Sequence, residues 1–312
     1  MMIDFERLAE TLGSDNVIIG VSGGVDSMVL LDQITSKREI FTCNFKVLHV
    51  NHCINPESRV WARFVENYCK EIGMPCEIVE VDISKWGNNL EQAARKSRYN
   101  EFSKQDCDSI ILAHHGNDQV ETFFLKLFRG SGPKGLRCMK YCSPCWFDER
   151  KQVVRPLLDI TKTQLVDYAI THNVQYITDP SNADTSYDRN WVRQCLVPFI
   201  QARHEIADIN IRKAIAIQDE AYGLMTDLAQ IDLEKIKLDN SDLDWKKLKL
   251  LSLPRLKNLI MFICAENNLI DVSIHHVETF ARGLLSADGD SKNELRLRDF
   301  HMYKRGTRVI IK

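Results

Sequence analysis

The chain has 312 residues and a mass of 36.0 kDa, with 41 Lys/Arg against 43 Asp/Glu and a formal charge of −2. Hydrophobic residues make up 44% and charged residues 27%, which excludes bulk disorder, and the length favours two domains. No run of about 18 uncharged apolar residues occurs, so no membrane-spanning helix is expected.

Residues 1–13 read as an amphipathic, acid-bearing segment without the basic start and apolar centre of an export signal, so a cytoplasmic location is expected. The ten cysteines are accordingly expected to be reduced thiols. Apolar, β-rich runs follow at 17–21, 45–50, 76–81 and 109–113, separated by helical patterns at 28–36, 59–72, 90–103 and 118–128. Short buried strands alternating with helices predict an α/β fold, a parallel sheet with helices on both faces. In such sheets ligands bind beyond the carboxyl ends of the strands, where the polar motifs of this chain fall.

From about residue 196 the chain reads as helix-rich, with helices over 214–229 and 253–267 and strand-like alternation over 293–312 around Arg305-Gly306. The expected division is an α/β domain over 1–212 and a smaller, mostly helical domain over 213–312. Residues 214–291 hold eight Lys/Arg against thirteen Asp/Glu, whereas 292–312 hold seven against two. The basic tail is either a solvated hairpin or a phosphate-contacting patch.

Ser22-Gly23-Gly24-Val25-Asp26-Ser27 follows the first strand and opens an apolar helix. Glycines let backbone N–H groups close on an anion, and the helix N-terminus adds its positive end. Ser22 and Ser27 supply hydroxyls. Asp26 would repel phosphate directly, a placement that makes sense if it holds Mg²⁺, although it also fits a helix cap. His114-His115-Gly116-Asn117-Asp118 with Glu121 is the second motif. Asp118 and Glu121 share one helix face, and the same spacing fits an N-cap at Asp118 with Glu121 at N3. His49 and His52 with this pair make only a weak zinc pattern. Arg95 and Arg98 share a face in the stretch from Asn89 to Tyr99, where Glu91 and Arg95 also form an i, i+4 pair. Arg155-Pro156, the Asp179–Asn182 turn, and Arg189 with Arg193 one helical turn apart complete the series.

The loop resembles that of the N-type ATP pyrophosphatases, the PP-loop enzymes. The ordered set of Ser22–Ser27, His49–His52, Asn89–Tyr99, Ala113–Thr122, Arg129–Leu136, Arg155–Leu158 and 179–193 closely resembles the tRNA(Ile)-lysidine synthetase family over most of 17–198. That resemblance implies a ligase in which ATP adenylates the wobble cytidine of a tRNA(Ile) with a CAU anticodon, and L-lysine then displaces AMP at C2. It implies ATP and Mg²⁺ as cofactors, with Ser22, Gly23, Gly24, Val25, Asp26 and Ser27 on the nucleotide and Asp26 on the metal. Arg98, and with it Arg95, would stabilise phosphate or adenylate. Asp118 and Glu121 would attract the lysine ammonium, His114 would orient groups or move protons, and Arg189 and Arg193 would contact tRNA. The remaining third would form a tRNA-binding subdomain; a homodimer stays open. Cys138, Cys142 and Cys145 depart from the family pattern and keep a second reading in view, a 2-thiocytidine-type thiolation enzyme with an iron–sulfur cluster. A small-molecule amidating synthetase and a non-catalytic RNA-binding relic are the other readings.

Overall fold

The computed structural model describes residues 2–83, 90–238, 242–269, 272–288, 293–297 and 300–312. Asn89 and the side chain of Glu91, both part of the third sequence motif, lie outside the described residues. The chain divides into two units, Met1–Ala216 and Ile217–Lys312.

The first unit opens with α1 (Phe5–Leu12), capped by the Asp4 carboxylate, which accepts from the Arg7 N–H. Then come β1 (Asn16–Gly20), α2 (Val25–Ser36), β2 (Asn44–Asn51), α3 (Ser58–Glu71), β3 (Cys76–Glu80), α4 (Leu90–Lys104), β4 (Ser109–Leu112) and α5 (Gly116–Phe128). A short α6 (Pro133–Leu136) leads to the hairpin of β5 (Cys142–Cys145) and β6 (Asp148–Val154), then α7 (Lys162–Thr171). α8 (Asp188–Trp191) continues through a π turn, Val192–Leu196, into α9 (Val197–Gln201).

The sheet order is β3-β2-β1-β4-β6-β5, parallel throughout except for β5 at the edge. Alternation along the strands explains the two cores. Val17, Ile19, Val47, Ile111 and Val154 pack with α1, α2, α3 and α7, while Ile18, Leu48, Ile110 and Val153 pack with Tyr99 and Phe102 of α4 on the other face. Helices thus cover both faces. The strand order reverses between β1 and β4, which opens a crevice at their carboxyl ends.

α10 (Ala207–Ile236) runs through the division between the units. The second unit adds β7 (Leu243–Asp244), α11 (Trp245–Leu248), α12 (Leu253–Glu266), α13 (Ile274–Ser286), β8 (Glu294–Leu297), β9 (Phe300–Arg305) and β10 (Arg308–Ile311). Its antiparallel sheet, ordered β7-β10-β9-β8, packs on α12 and α13 around Leu256, Leu259, Phe280 and Met302. The basic tail is partly consumed here, because Lys304 is buried with its ammonium 4.3 Å from the Trp245 ring centroid and Arg308 is 3.7 Å from Asp242. No described helix is long and apolar enough to cross a membrane.

Candidate active site

The Ser22–Ser27 loop hangs between β1 and α2. Gly23 has φ +90°, a conformation side chains resist, and a Cβ there would sit 2.8 Å from Ile177 Cδ1. The loop is fastened from within. Ser27 Oγ donates to Gly24 O at 2.9 Å, accepts from the Ser22 N–H at 3.1 Å and lies 3.2 Å from Ser22 Oγ. It is fastened from behind as well, because the Ile177 N–H donates to Gly23 O at 2.9 Å. Val25 is buried as the first residue of α2, and Asp26 stands in that helix's first turn.

A cleft of about 500 Å³ opens above the loop, within the range of small-molecule sites. Leu48, Val50, Phe102 and Leu112 give it apolar walls, and Ser22, Asp26, Ser27, His52, Arg98, His114, Asp179 and Ser181 give it polar ones. His49 is buried, and its Nδ1–H donates to Val21 O at 2.9 Å, which fixes the tautomer and braces the strand feeding the loop. Burial pulls the His52 pKa down to about 4, with Arg98 adding to the effect, and its Nδ1 lies 3.0 Å from Ser97 Oγ. Arg98 is open to the cleft yet enclosed on its other sides. That enclosure, with Arg95 and Arg189 nearby, lowers its pKa. No carboxylate among the described residues pairs with Arg98, so its charge is available to an anion. Arg95 lies with its guanidinium 5.2 Å from the Tyr99 ring.

His114 closes β4 at the cleft. Burial, reinforced by Arg155 and Arg189 against the pull of Asp118, drops its pKa to about 3. Its ring is therefore neutral at physiological pH, suited to orienting a group rather than taking a proton. The helix cap differs from the sequence expectation. α5 starts at Gly116 with His115 as N-cap; Asp118 is at N3, its Oδ2 accepting from the His115 N–H at 2.9 Å, and Glu121 takes no part in capping. The start is early because Gly116 tucks against Ile160 O, 3.0 Å from where a Cβ would lie. His115 is buried between two acids, its Nε2 3.7 Å from Asp26 and 3.6 Å from Asp118.

Asp118 and Glu121 are brought together, but Arg189 and Arg193 come with them. Arg189 donates from Nε to Glu121 at 2.6 Å and from Nη2 to Asp118 at 2.7 Å. Arg193 donates from Nε and Nη2 to the two Glu121 oxygens at 2.6 and 3.1 Å. Burial alone would raise the Asp118 pKa, but His115 and Arg189 outweigh it and hold it near 2. The two arginines thus turn inward onto carboxylates instead of lining an open phosphate channel, because two buried acids on α5 demand counter-charge. Arg155 is buried too, donating to Lys140 O at 2.9 Å and Ser143 Oγ at 3.1 Å.

The three cysteines separate. Cys142 packs with the core on one face of the sheet and Cys145 with the core on the other, since they are three residues apart on a strand. Cys138 Sγ donates to Leu136 O at 3.3 Å and Cys142 Sγ to Gln152 at 2.9 Å. Among the described residues, no three His, Cys, Asp or Glu side chains converge as a metal-holding group.

Residues 1–200 match the family defined by the PP-loop domain. The chain belongs to the PP-loop family. It is 34% identical over 83% of its length to a tRNA(Ile)-lysidine synthase of Nitrosomonas europaea, and 31% identical over 97% to that of Acinetobacter baylyi. It spans 56% and 64% of those two relatives, so each is longer than this chain. Among solved structures it is similar in fold to a U34-tRNA thiolase from Methanococcus maripaludis that carries a 4Fe–4S cluster. There the TM-score is 0.55 and the identity 18%, over 69% of this chain and 77% of the other.

Lys162, the first residue of α7, reaches the Ser22–Ser27 loop and was missed by sequence reasoning. Its ammonium lies 2.8 and 2.9 Å from the Asp26 oxygens, 136 residues away in sequence. Its backbone N–H donates to Asn117 Oδ1 at 2.9 Å, which ties α7 to the start of α5. Ile177 was missed likewise. Neither carries a local signal, since a lone Lys at a helix start and an Ile in a loop are ordinary.

Proposed function

We propose that this chain is the catalytic part of a tRNA(Ile)-lysidine synthase, an ATP-consuming ligase that joins L-lysine to C2 of the wobble cytidine of tRNA(Ile) with a CAU anticodon. The observation that carries the reading is a nucleotide loop and a buried carboxylate pair meeting at the carboxyl ends of the central strands β1 and β4, in a chain so similar to tRNA(Ile)-lysidine synthases.

The Ser22–Ser27 backbone and hydroxyls cradle the ATP polyphosphate, while Leu48, Val50 and Phe102 supply an apolar wall for its base. A divalent ion fits here in company with phosphate oxygens, because Asp26 offers one carboxylate and the described residues form no further cage around it. Asp26 would hold it, and when bound it supplies charge neutralisation at the phosphates. Lys162 supplies that counter-charge to Asp26 in the structure described here.

The cytidine O2 is a poor leaving group, and adenylation makes it a good one. Arg98 faces the cleft with an uncommitted charge and stabilises the adenylyl phosphate. His114, neutral, orients the acceptor by hydrogen bonding. Asp118 and Glu121 attract the lysine ammonium once Arg189 or Arg193 yields a carboxylate oxygen, so the arginines hold the acids ready rather than reading the tRNA. The basic tail residues Arg296, Arg305 and Lys312, exposed on the second unit, are offered to tRNA phosphate.

The test supplies purified protein with Mg²⁺, ATP, unmodified tRNA(Ile) and labelled lysine. Label is expected in the tRNA, with AMP and pyrophosphate formed only when RNA is present. Folded protein that leaves the RNA unlabelled overturns the reading.

A further inference from the structure

The stretch between β4 and β6 holds chemistry that the ligase reading does not use. Residues 122–147 contain Lys126, Arg129, Lys134, Arg137 and Lys140 and no acid at all. None of Lys126, Arg129 and Lys134 pairs with a carboxylate among the described residues. Arg129 and Lys134 are exposed, on either side of the Gly130-Ser131-Gly132 bend. Beside this basic stretch lie large apolar side chains in water. Phe128, the last residue of α5, is 58% exposed, and Trp191, the last residue of α8, is 42% exposed. Their ring centroids are 6.4 Å apart, and Phe124 backs Phe128 at 6.1 Å.

The position of this pair is set by the carboxylate–arginine network. Trp191 stands between Arg189 and Arg193 in sequence, and those arginines pin α8 and the π turn to Glu121 of α5. Glu121 and Phe128 are seven residues apart on that helix, about 10 Å along its axis. At about 3.4 Å per stacked nucleotide, that is the reach of a few nucleotides. Exposed aromatic faces beside unpaired cations are how proteins hold single-stranded RNA, bases on rings and phosphates on cations.

We propose that Trp191 and Phe128 form a stacking platform for an unpaired base flanking the reacting cytidine, with Arg129 and Lys134 meeting the adjoining phosphates. The identity of the RNA rests on the ligase reading; the platform itself does not.

The full chain is titrated with a short RNA hairpin whose loop carries CAU, and binding is read by anisotropy and by quenching of tryptophan emission. Trp191→Ala weakens binding roughly 5- to 100-fold, whereas Trp191→Phe, which keeps an aromatic face, stays within about threefold. The Trp191→Phe protein also loses most of the quenching. Arg129→Gln with Lys134→Gln lowers the slope of log affinity against log salt by about 1 to 2. Urea midpoints matched to the wild type show that the variants are folded. If Trp191→Ala and Phe128→Ala bind RNA as the wild type does, the platform is wrong, even in a protein that ligates lysine. If they lose the hairpin in a protein that never incorporates lysine, the platform stands and the ligase reading falls. Loss of self-association in sedimentation, with RNA affinity retained, would assign this surface to a second copy of the chain and overturn the proposal.

Discussion

Replacing Glu121 by Gln tests whether the buried ion-pair network holds α5 to α8. Glu121 is 2% exposed and accepts three bonds from two guanidiniums, while Asp118 takes one more from Arg189. Two carboxylates therefore face two guanidiniums, and the substitution leaves one charge unbalanced. Breaking a buried pair costs about 3–5 kcal/mol. Arg193, with 40% of its side chain exposed, swings toward water and recovers part of that, whereas Arg189 at 22% does so less. A net cost of about 2–3 kcal/mol follows, and at an m-value of about 3 kcal/mol/M the urea midpoint of the first unit drops by about 1 M. Adding Arg193→Gln to Glu121→Gln removes the orphaned cation and recovers about 1 kcal/mol. Urea unfolding followed by tryptophan emission gives both numbers. A Glu121→Gln midpoint within about 0.2 M of wild type, or strictly additive double-variant values, would refute a coupled network.

Gly23→Ala forces a side chain into φ +90° and toward Ile177, at a cost of about 1–3 kcal/mol, and lowers ATP affinity at least tenfold by equilibrium dialysis; wild-type affinity would mean the loop does not need that conformation. Lys162→Met leaves Asp26 facing polyphosphate without its ammonium partner, so ATP binding weakens at low Mg²⁺ and recovers as Mg²⁺ rises. A defect indifferent to Mg²⁺ counts against Asp26 as the ion's ligand. His114 and His52 are held at about 3 and 4, below the ordinary 6.5, so the unfolded chain takes up their protons first. Stability is then full above pH 6.5 and declines as pH falls toward 4, by at most about 1.4 kcal/mol per pH unit for each ring. His114→Gln makes that decline shallower, and urea midpoints between pH 7.5 and 5 that do not move would contradict it.

The strands, the phosphate loop and the cluster around His114 were legible because each is written locally, in apolar runs, glycines and i, i+3 spacing. What was not legible depends on distant partners. The expectation that Arg189 and Arg193 line a channel came from their spacing, and it missed Glu121, 68 and 72 residues away. The cap expected at Asp118 lies three residues late because the contact of Gly116 with Ile160 is tertiary. β6 escaped because DERKQVV, beside the edge strand β5, is polar over most of its length. The cysteine trio looked like a cluster on spacing alone, until strand alternation sent Cys142 and Cys145 to opposite faces.

The backbone bridge from Ile177 to Gly23 binds the anion-cradling bend to the same stretch of chain that, twelve residues on, delivers Arg189. The bend and the guanidiniums clamping Glu121 thereby hang on one short tether of chain, anchored at both ends.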